Sequence, residues 1–375
     1  MKTLTKAIFL AVLTVFPVSV FSQKAETVRS FAWVLKDLDW YKQQAELWKI
    51  EIDKKTANAE AWVNFYRANK AVQNNFKIDV EKRNEEYLLP LNQIIEMAEK
   101  AIPNTFELNF IKADCLYDKE SLLQAQKMRP FDPLLFSNLM TYYMVINDKK
   151  NVQAVSRKWF ESNDISTDFF ATTYNLLMSL DDNAIIIVWG DCDTYPIWIL
   201  QNALNIRTDV TAININLLGM NDHQKWFFKE NAIAEITLKI NDTGKTLANH
   251  IVKNVKTRPV YFSSFANNEI YADFTDKLYL TGLALKYSEK PFDNIAVLKN
   301  NIENKFLIDH LKISFQNTES ESMVAKMNLA YMAPFLKLYE HYRLLNEKIK
   351  MEKIKNSAKI ISEKAGVPEW MQYFE

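Results

Sequence analysis

Two carboxylates one residue apart, Asp191 and Asp193, follow an apolar run from Ala184 to Trp189 and a single glycine, Gly190. Carboxylates at i and i+2 on a turn can converge on a hard cation. Thr194 and Tyr195 come next, and Arg207 and Asp209 stand beyond a helix-length segment, where they can clamp a carboxylate or a glycan. These six residues, Asp191, Asp193, Thr194, Tyr195, Arg207 and Asp209, are the candidate ligand-binding set. A plainer reading stands beside it. The chain holds 21 aspartates in 375 residues, so about one Asp-x-Asp arises by chance, and Asp37-Leu38-Asp39 is another. Either carboxylate can instead cap a following helix, where its first amides and the helix dipole favour negative charge. Arg207 and Asp209 can form a corner ion pair. Trp189 and Tyr195 can stack on a sugar ring or pack in a core, and Trp198 reads as core. The capping reading is the more economical, and no catalytic residue and no metal ligand is assigned.

Other chemistries find no machinery. His223, His250, His310 and His341 have no ligand spacing with one another or with the cysteines. Five glycines could hardly supply a Walker loop, a dinucleotide fingerprint or a nucleophile elbow, and none is present. No cofactor is expected. Asn241-Asp242-Thr243 fits a glycosylation acceptor pattern that chance often produces.

The elements around the acidic loop are a strand, a helix and a second strand. Ala184 to Trp189 is continuous, apolar and rich in β-branched residues, as in a strand buried on both faces of a parallel sheet. Pro196 suits a first helical turn, and Val210 to Asn214 forms the second strand. Such a unit closes with a right-handed crossover, and ligands bind at the carboxyl ends of its strands, where the acidic loop lies. Further on, Ala234 to Ile240 alternates like a half-exposed strand. Thr243 to Val255 reads as a helix, and Pro259 to Ser263 as a short strand. Phe274 to Leu280 suggests a helical turn, and Gly282 to Tyr287 a helix end or a last strand.

Before this module the pattern is helix upon helix. Trp40, Tyr41, Ala45, Trp48 and Ile52 share one helical face, and Asn58 to Trp62 follows a polar corner in the manner of tetratricopeptide repeats. Corner markers Asn58, Asn104, Asp132 and Thr167 are spaced by 46, 28 and 35 residues, against about 34 for that repeat. The repeats are degenerate, and an ordinary helical bundle fits as well. The aromatic stripes read as core. After the module, Glu321 to Glu363 is helical, divided or kinked at Pro334 and stopped by Gly366 and Pro368. The lysine-rich run Lys348 to Lys359 reads as a solvated face. The expected fold is mainly helical, of mixed α+β and α/β class. A tetratricopeptide-like array at 23–180 is followed by a small Rossmann-like α/β module at 181–300 and by C-terminal helices at 301–375.

Residues 1–22 read as a secretory signal peptide. Lys2 and Lys6 precede the apolar stretch Ala7 to Val20, with a cut after Ser22. No later stretch is apolar enough to span a bilayer, so the mature chain is expected to be periplasmic or secreted, without a membrane span. The formal charge is zero, about −2 without the leader, so nucleic acid is not an expected partner. Cys115 and Cys192, the only cysteines, are expected to be free thiols.

The run Gly190, Asp191, Asp193, Thr194, Tyr195, Pro196, Trp198, Gln201, Arg207, Asp209 and Val210 resembles the soluble C-terminal region of large membrane proteins, common in Bacteroidetes, that are classed with protein O-mannosyltransferase-like enzymes or left without a known function. Cys192 departs from that pattern, which has asparagine. Arg258-Pro259-Val260-Tyr261-Phe262 and Gly282-Leu283-Ala284 are similar to later blocks of the same region. The resemblance covers Ile185 to Tyr287. It implies an accessory module, because glycosyl transfer in those proteins belongs to a multi-span portion that this sequence lacks. The expectation is therefore an exported helical-repeat protein that binds or scaffolds another envelope protein or a glycan, with a groove lined by exposed aromatics between Trp40 and Tyr143. The alternative is a glycan- or metal-binding enzyme that uses the Asp191/Asp193 loop for glycosyl transfer or hydrolysis.

Overall fold

The computed structural model describes residues 24–74, 90–237, 244–313 and 321–375. Residues 1–22, expected to be a signal peptide, and the acceptor pattern at Asn241 lie outside them. The chain is mainly helical and carries one small mixed sheet.

The helical array runs α1 (Leu38–Lys54), α2 (Ala59–Gln73), α3 (Leu91–Ala101), α4 (Phe106–Leu116), α5 (Lys119–Met128), α6 (Phe136–Val145), α7 (Lys149–Ser162) and α8 (Thr167–Met178). Polar corners start these helices. Asp37, Asn58, Thr105, Asp118, Asp148 and Ser166 each accept a hydrogen bond from an amide of the first turn, which satisfies donors the helix cannot. Asparagine takes over the role glycine usually has at left-handed positions. Asn104, Asn147, Asn163, Asn183, Asn205 and Asn346 all have positive φ, which asparagine tolerates through its short polar side chain. The corner markers fall where expected. Asn58 is a cap, Asn104 turns the chain one residue before the cap Thr105, Asp132 caps a 3-10 turn, and Thr167 opens α8 behind its cap Ser166.

The sheet holds β1 (Ile185–Val188), β2 (Thr211–Asn214), β3 (Val260–Ser263), β4 (Leu278–Leu280) and β5 (Ala284–Tyr287), in the order β2-β1-β3-β5-β4. β1 is central and runs parallel to both β2 and β3, with Ile185 opposite Thr211 and Val260. β5 is antiparallel to β3 and β4. Between strands lie α9 (Asp191–Leu204), α10 (Asn221–Glu230) and α11 (Gly244–Asn254). The chain ends with α12 (Asn294–Asn304), α13 (Asp309–Lys312), α14 (Glu321–Asn328), α15 (Met332–Leu344) and α16 (Lys348–Lys364).

β1 is fully buried because it has a core on each face. Ile186 and Val188 join a large core that also takes in the helical array, α9 and the C-terminal helices. Ile185 and Ile187 join a smaller core with Phe227, Ile251 and Phe262. α8 links the two ends of the chain. Asn175 donates to the Leu307 carbonyl and the Tyr331 hydroxyl and accepts from the Leu307 amide, and Thr172 bonds His310 and Asn328.

Three local expectations change. Pro196 is not at the start of its helix. α9 begins at Asp191 and holds Pro196 in its interior, which leaves the Cys192 carbonyl without the amide four residues on. Residues 234–237 form no strand, and the remainder of that run, to Ile240, lies outside the described residues. Phe274 to Leu280 divides between a 3-10 turn, Asn268–Lys277, and the edge strand β4. Gly282 to Tyr287 resolves to strand β5. Pro334 does divide the C-terminal helix: α14 ends at Asn328, a 3-10 turn follows, and Pro334 sits in the first turn of α15, where a missing amide is harmless.

The segment before α1 is strapped down by side chains. The Gln44 and Asn64 amides accept from the Glu26 and Val28 amides, and Trp48 and Arg67 donate to the carbonyls of the same two residues. Arg29 pairs with Asp164 at 2.7 Å. Tyr41, Trp48, Trp62, Tyr66, Phe110 and Phe136 are buried. Most of the array's aromatics therefore fill its interior, while Tyr117 is exposed and Tyr142 half-buried.

Candidate functional site

The connections from β1 lead to β2 on one side and, later, to β3 on the other, so a crevice opens at the carboxyl end of β1. Gly190 caps α9 there, and Asp191 and Asp193 occupy its first turn.

Asp193 is turned inward. Its two carboxylate oxygens accept from the Gly190 amide at 2.9 Å and the Trp189 amide at 3.2 Å, and the Ser263 side chain bonds it from the end of β3. Burial dominates its titration and pushes the carboxyl up to about 6, against the pull of those hydrogen bonds. Thr194 is also internal. Its hydroxyl accepts from Asn214 at 2.9 Å, which ties α9 to the end of β2.

Asp191 points the other way, into a cleft against the helical array. Two adjoining cavities, of about 240 and 480 Å³, share Lys70, Asp114, Ser137 and Asp191 as lining. Solvent reaches Asp191, but protein surrounds the cleft floor on most sides. That desolvation raises its carboxyl; nearby Lys70 works against the rise and Asp114 adds to it. No hydrogen bond or ion pair holds the Asp191 carboxylate among the described residues. Asp114 is fixed by contrast, with Lys70 at 2.7 Å and the Tyr66 hydroxyl at 2.9 Å. Burial would raise the Asp114 carboxyl, but Lys70, Arg67 and the Tyr66 hydroxyl outweigh it and hold it below the usual range. Burial lowers the Arg67 guanidinium. The walls are aromatic. Trp33 and Trp159 border the larger cavity, and Tyr117, Tyr142 and Tyr195 the smaller. Asn138 lines the smaller cavity, and its buried side-chain oxygen has no hydrogen-bond partner among the described residues.

Tyr195 is almost fully buried. Its hydroxyl meets Thr141 at 2.7 Å, and its ring packs between Trp159 and Trp198. Cys192 donates to the Ala32 carbonyl at 3.2 Å, and burial pushes its thiol well up, which disfavours the thiolate. Cys115 and Cys192 are both free.

Arg207 and Asp209 are elsewhere. They precede β2 and so lie at the amino ends of the parallel strands, opposite the cleft. Arg207 grips both oxygens of Asp209 at 2.9 Å and donates to the carbonyls of Leu177, Leu180 and Asp181, while Asp209 accepts from the Asn183 amide. That is a structural staple joining the end of α8 to the β2 corner. Of the six candidate residues, then, Asp191 and Tyr195 reach the cleft, Asp193 and Thr194 are turned inward and fix the start of α9 on the strand ends, and Arg207 and Asp209 take no part. Among the described residues no group of three or more His, Cys, Asp or Glu side chains is placed to hold a metal ion.

Lys70, Asp114, Arg67, Trp33 and Trp159 lie outside the candidate set drawn from the sequence. One signal was available: Arg67 and Lys70 interrupt the otherwise buried stretch Ala61–Val72 of α2. A third cavity, about 420 Å³, lies on the other side of α9 beside Trp198, His223 and Arg258. Two of its polar side chains are engaged in the fold, Arg258 with Asn183, Ala184, Asn231 and Thr211, and Gln201 with the Arg207 and Val210 carbonyls, while the buried Nδ1 of His223 has no hydrogen-bond partner among the described residues.

Residues 170–234 match the family model described as TMEM260-associated domain 2. The match runs from α8 to α10 and includes the Gly190–Val210 motif, and it links this segment to the TMEM260-associated group. Comparison with curated proteins and with solved structures gives no match. No helix among the described residues is long and apolar enough to cross a membrane.

Proposed function

We propose that the chain is an exported, tetratricopeptide-like helical-repeat protein of the periplasm or cell envelope, and that it binds a hydroxyl-rich ligand, a glycan, in the cleft between the array and a Rossmann-like module. The observation that carries this reading is the free Asp191 carboxylate facing Lys70, Asp114 and an aromatic wall. Sugars are held by stacking on aromatic faces and by mixed donors and acceptors at their hydroxyls. The cleft offers stacking faces on the accessible Tyr117 and Tyr142 and mixed donors and acceptors at Lys70 and Asp191, and its charges are largely paired, Arg29 with Asp164 and Lys70 with Asp114. That balance disfavours a polyanion. A protein partner laid along α1 and α2 is less favoured, because the chain's own residues 26–29 already take the side-chain hydrogen bonds there.

A second reading is hydrolysis. The two carboxyls of the cleft are pushed apart, Asp191 upward and Asp114 downward, as acid and base partners are. Asp114, however, is locked in an ion pair, which favours binding over turnover.

The test is titration of the chain with a panel of soluble oligosaccharides, read by calorimetry and by tryptophan fluorescence. Saturable binding that perturbs Trp33 and Trp159 supports the proposal; release of reducing sugar would favour the second reading. Absence of any saturable response across neutral, acidic and amino sugars would refute both.

A further inference from the structure

The corner between α15 and α16 carries apolar side chains with almost no protein around them. Leu344 is 85% exposed, Ile349 88% and Leu345 54%. The left-handed residue Asn346 turns the chain sharply here, so these side chains stand on a convex tip. Exposed leucines scattered singly need no explanation, but three clustered at one tip do.

The charge around the tip is one-sided. Lys348 flanks Ile349, and a shallow groove leading away along α16 is lined by Lys312, Ile349, Lys353 and Ile360, with Glu352 as its one carboxylate among the described residues. Lys312, Lys348 and Lys353 have no ion-pair partner among the described residues. Lys350, on the inner side of the same helix, is different: Glu303 and Glu347 neutralise it.

From this we propose that the α15–α16 corner docks on an anionic lipid surface. Leu344 and Ile349 enter the interfacial layer, and Lys312, Lys348 and Lys353 sit over the lipid phosphates. A protruding apolar side chain suits a bilayer, which opens around it, better than a protein partner, which must supply a matching pocket. Lysines flanking an apolar tip add an attraction that falls off within a Debye length and weakens in salt. No spanning helix is needed, since an interfacial contact of this kind lies on the membrane.

Vesicle flotation tests it, with the whole chain lacking only its leader. Vesicles of phosphatidylcholine with phosphatidylglycerol should carry the protein, and pure phosphatidylcholine vesicles should not. The Leu344→Ser/Ile349→Ser and Lys348→Glu/Lys353→Glu pairs should each weaken binding about tenfold or more, with melting temperatures unchanged because all four residues are exposed. Binding insensitive to both pairs, or no binding to anionic vesicles in low salt, would overturn the proposal. So would a dimer in sedimentation that Ile349→Ser abolishes, since the tip would then serve a second copy of the chain.

Discussion

Asp191 and Asp193 share one helical turn yet face opposite environments: Asp193 closes on the Trp189 and Gly190 amides, while Asp191 opens on the cleft beside Lys70 and Asp114. The loop is thus scaffold and site at once. The division follows from the helix, in which residues two apart point to different sides.

Two buried histidines should make the protein acid-sensitive. Burial pushes His223 and His310 down to about 4 from an ordinary 6.5. As pH falls from about 6.5 to 4, the unfolded chain takes up protons there and the folded chain does not, so their contribution to stability is lost across that window. The size is about 3 kcal/mol for each imidazole. His223→Gln/His310→Gln should therefore gain several kcal/mol relative to the parent on going from pH 7 to pH 4.5 in urea denaturation. A constant difference between the two proteins would contradict the burial argument.

Asp193 should act with the opposite sign. Its folded carboxyl, at about 6, lies above the unfolded value of 3.8, so the folded chain binds the proton first and gains stability as pH falls through 6. Above that pH the charged form is held at a cost of about 3 kcal/mol relative to an unperturbed carboxylate. Asp193→Asn, which keeps one acceptor for the cap, should remove this gain. Chevron or melting data at pH 7 and pH 5 on both proteins check it; identical pH slopes would show that Asp193 titrates normally.

Arg207 should matter for stability and not for ligand binding. Arg207→Lys keeps the charge but cannot span Asp209 and three carbonyls at once. A loss of about 2–4 kcal/mol is expected, with ligand affinity unchanged because the staple sits at the far end of the sheet. Affinity that falls with stability preserved would return Arg207 to the site.

Gly282 has no substitute. Its φ is +156°, and a Cβ there would run into the Ser179 hydroxyl and the Phe306 ring. Gly282→Ala should cost about 3 kcal/mol or more. A near-neutral result in thermal unfolding would mean that the β4–β5 turn is free to rearrange.

Much of the architecture was legible because it is written locally. Four consecutive β-branched residues make β1 plain, and the polar corners Asn58, Asn104, Asp132 and Thr167 each lie at or within one residue of a helix cap. Pro196 misled because proline usually marks a first turn, whereas here glycine caps and Asp193 reaches back to it. The cleft was only half visible. Asp191 announces itself beside a strand, but Lys70 and Asp114 are joined across 44 residues and meet Asp191 only across a cleft, because α2 packs on α4 while α9 packs on α7 and α8. Nothing in the spacing of a lysine or an aspartate on an amphipathic helix reports such a meeting. Arg207, conspicuous in sequence, stands near the acidic loop in the chain, but helix α9 carries the chain from the carboxyl ends of the parallel strands back to their amino ends and so separates the two.

The central claim is that Asp191 serves a ligand and Asp193 serves the fold. The most direct measurement is the melting temperature of the parent, Asp191→Asn and Asp193→Asn, each with and without a saccharide that binds the parent. Asp191→Asn should melt at or above the parent temperature and lose the ligand-induced rise; Asp193→Asn should change the unliganded melt and keep the rise. A ligand-induced rise that survives in Asp191→Asn would contradict the account.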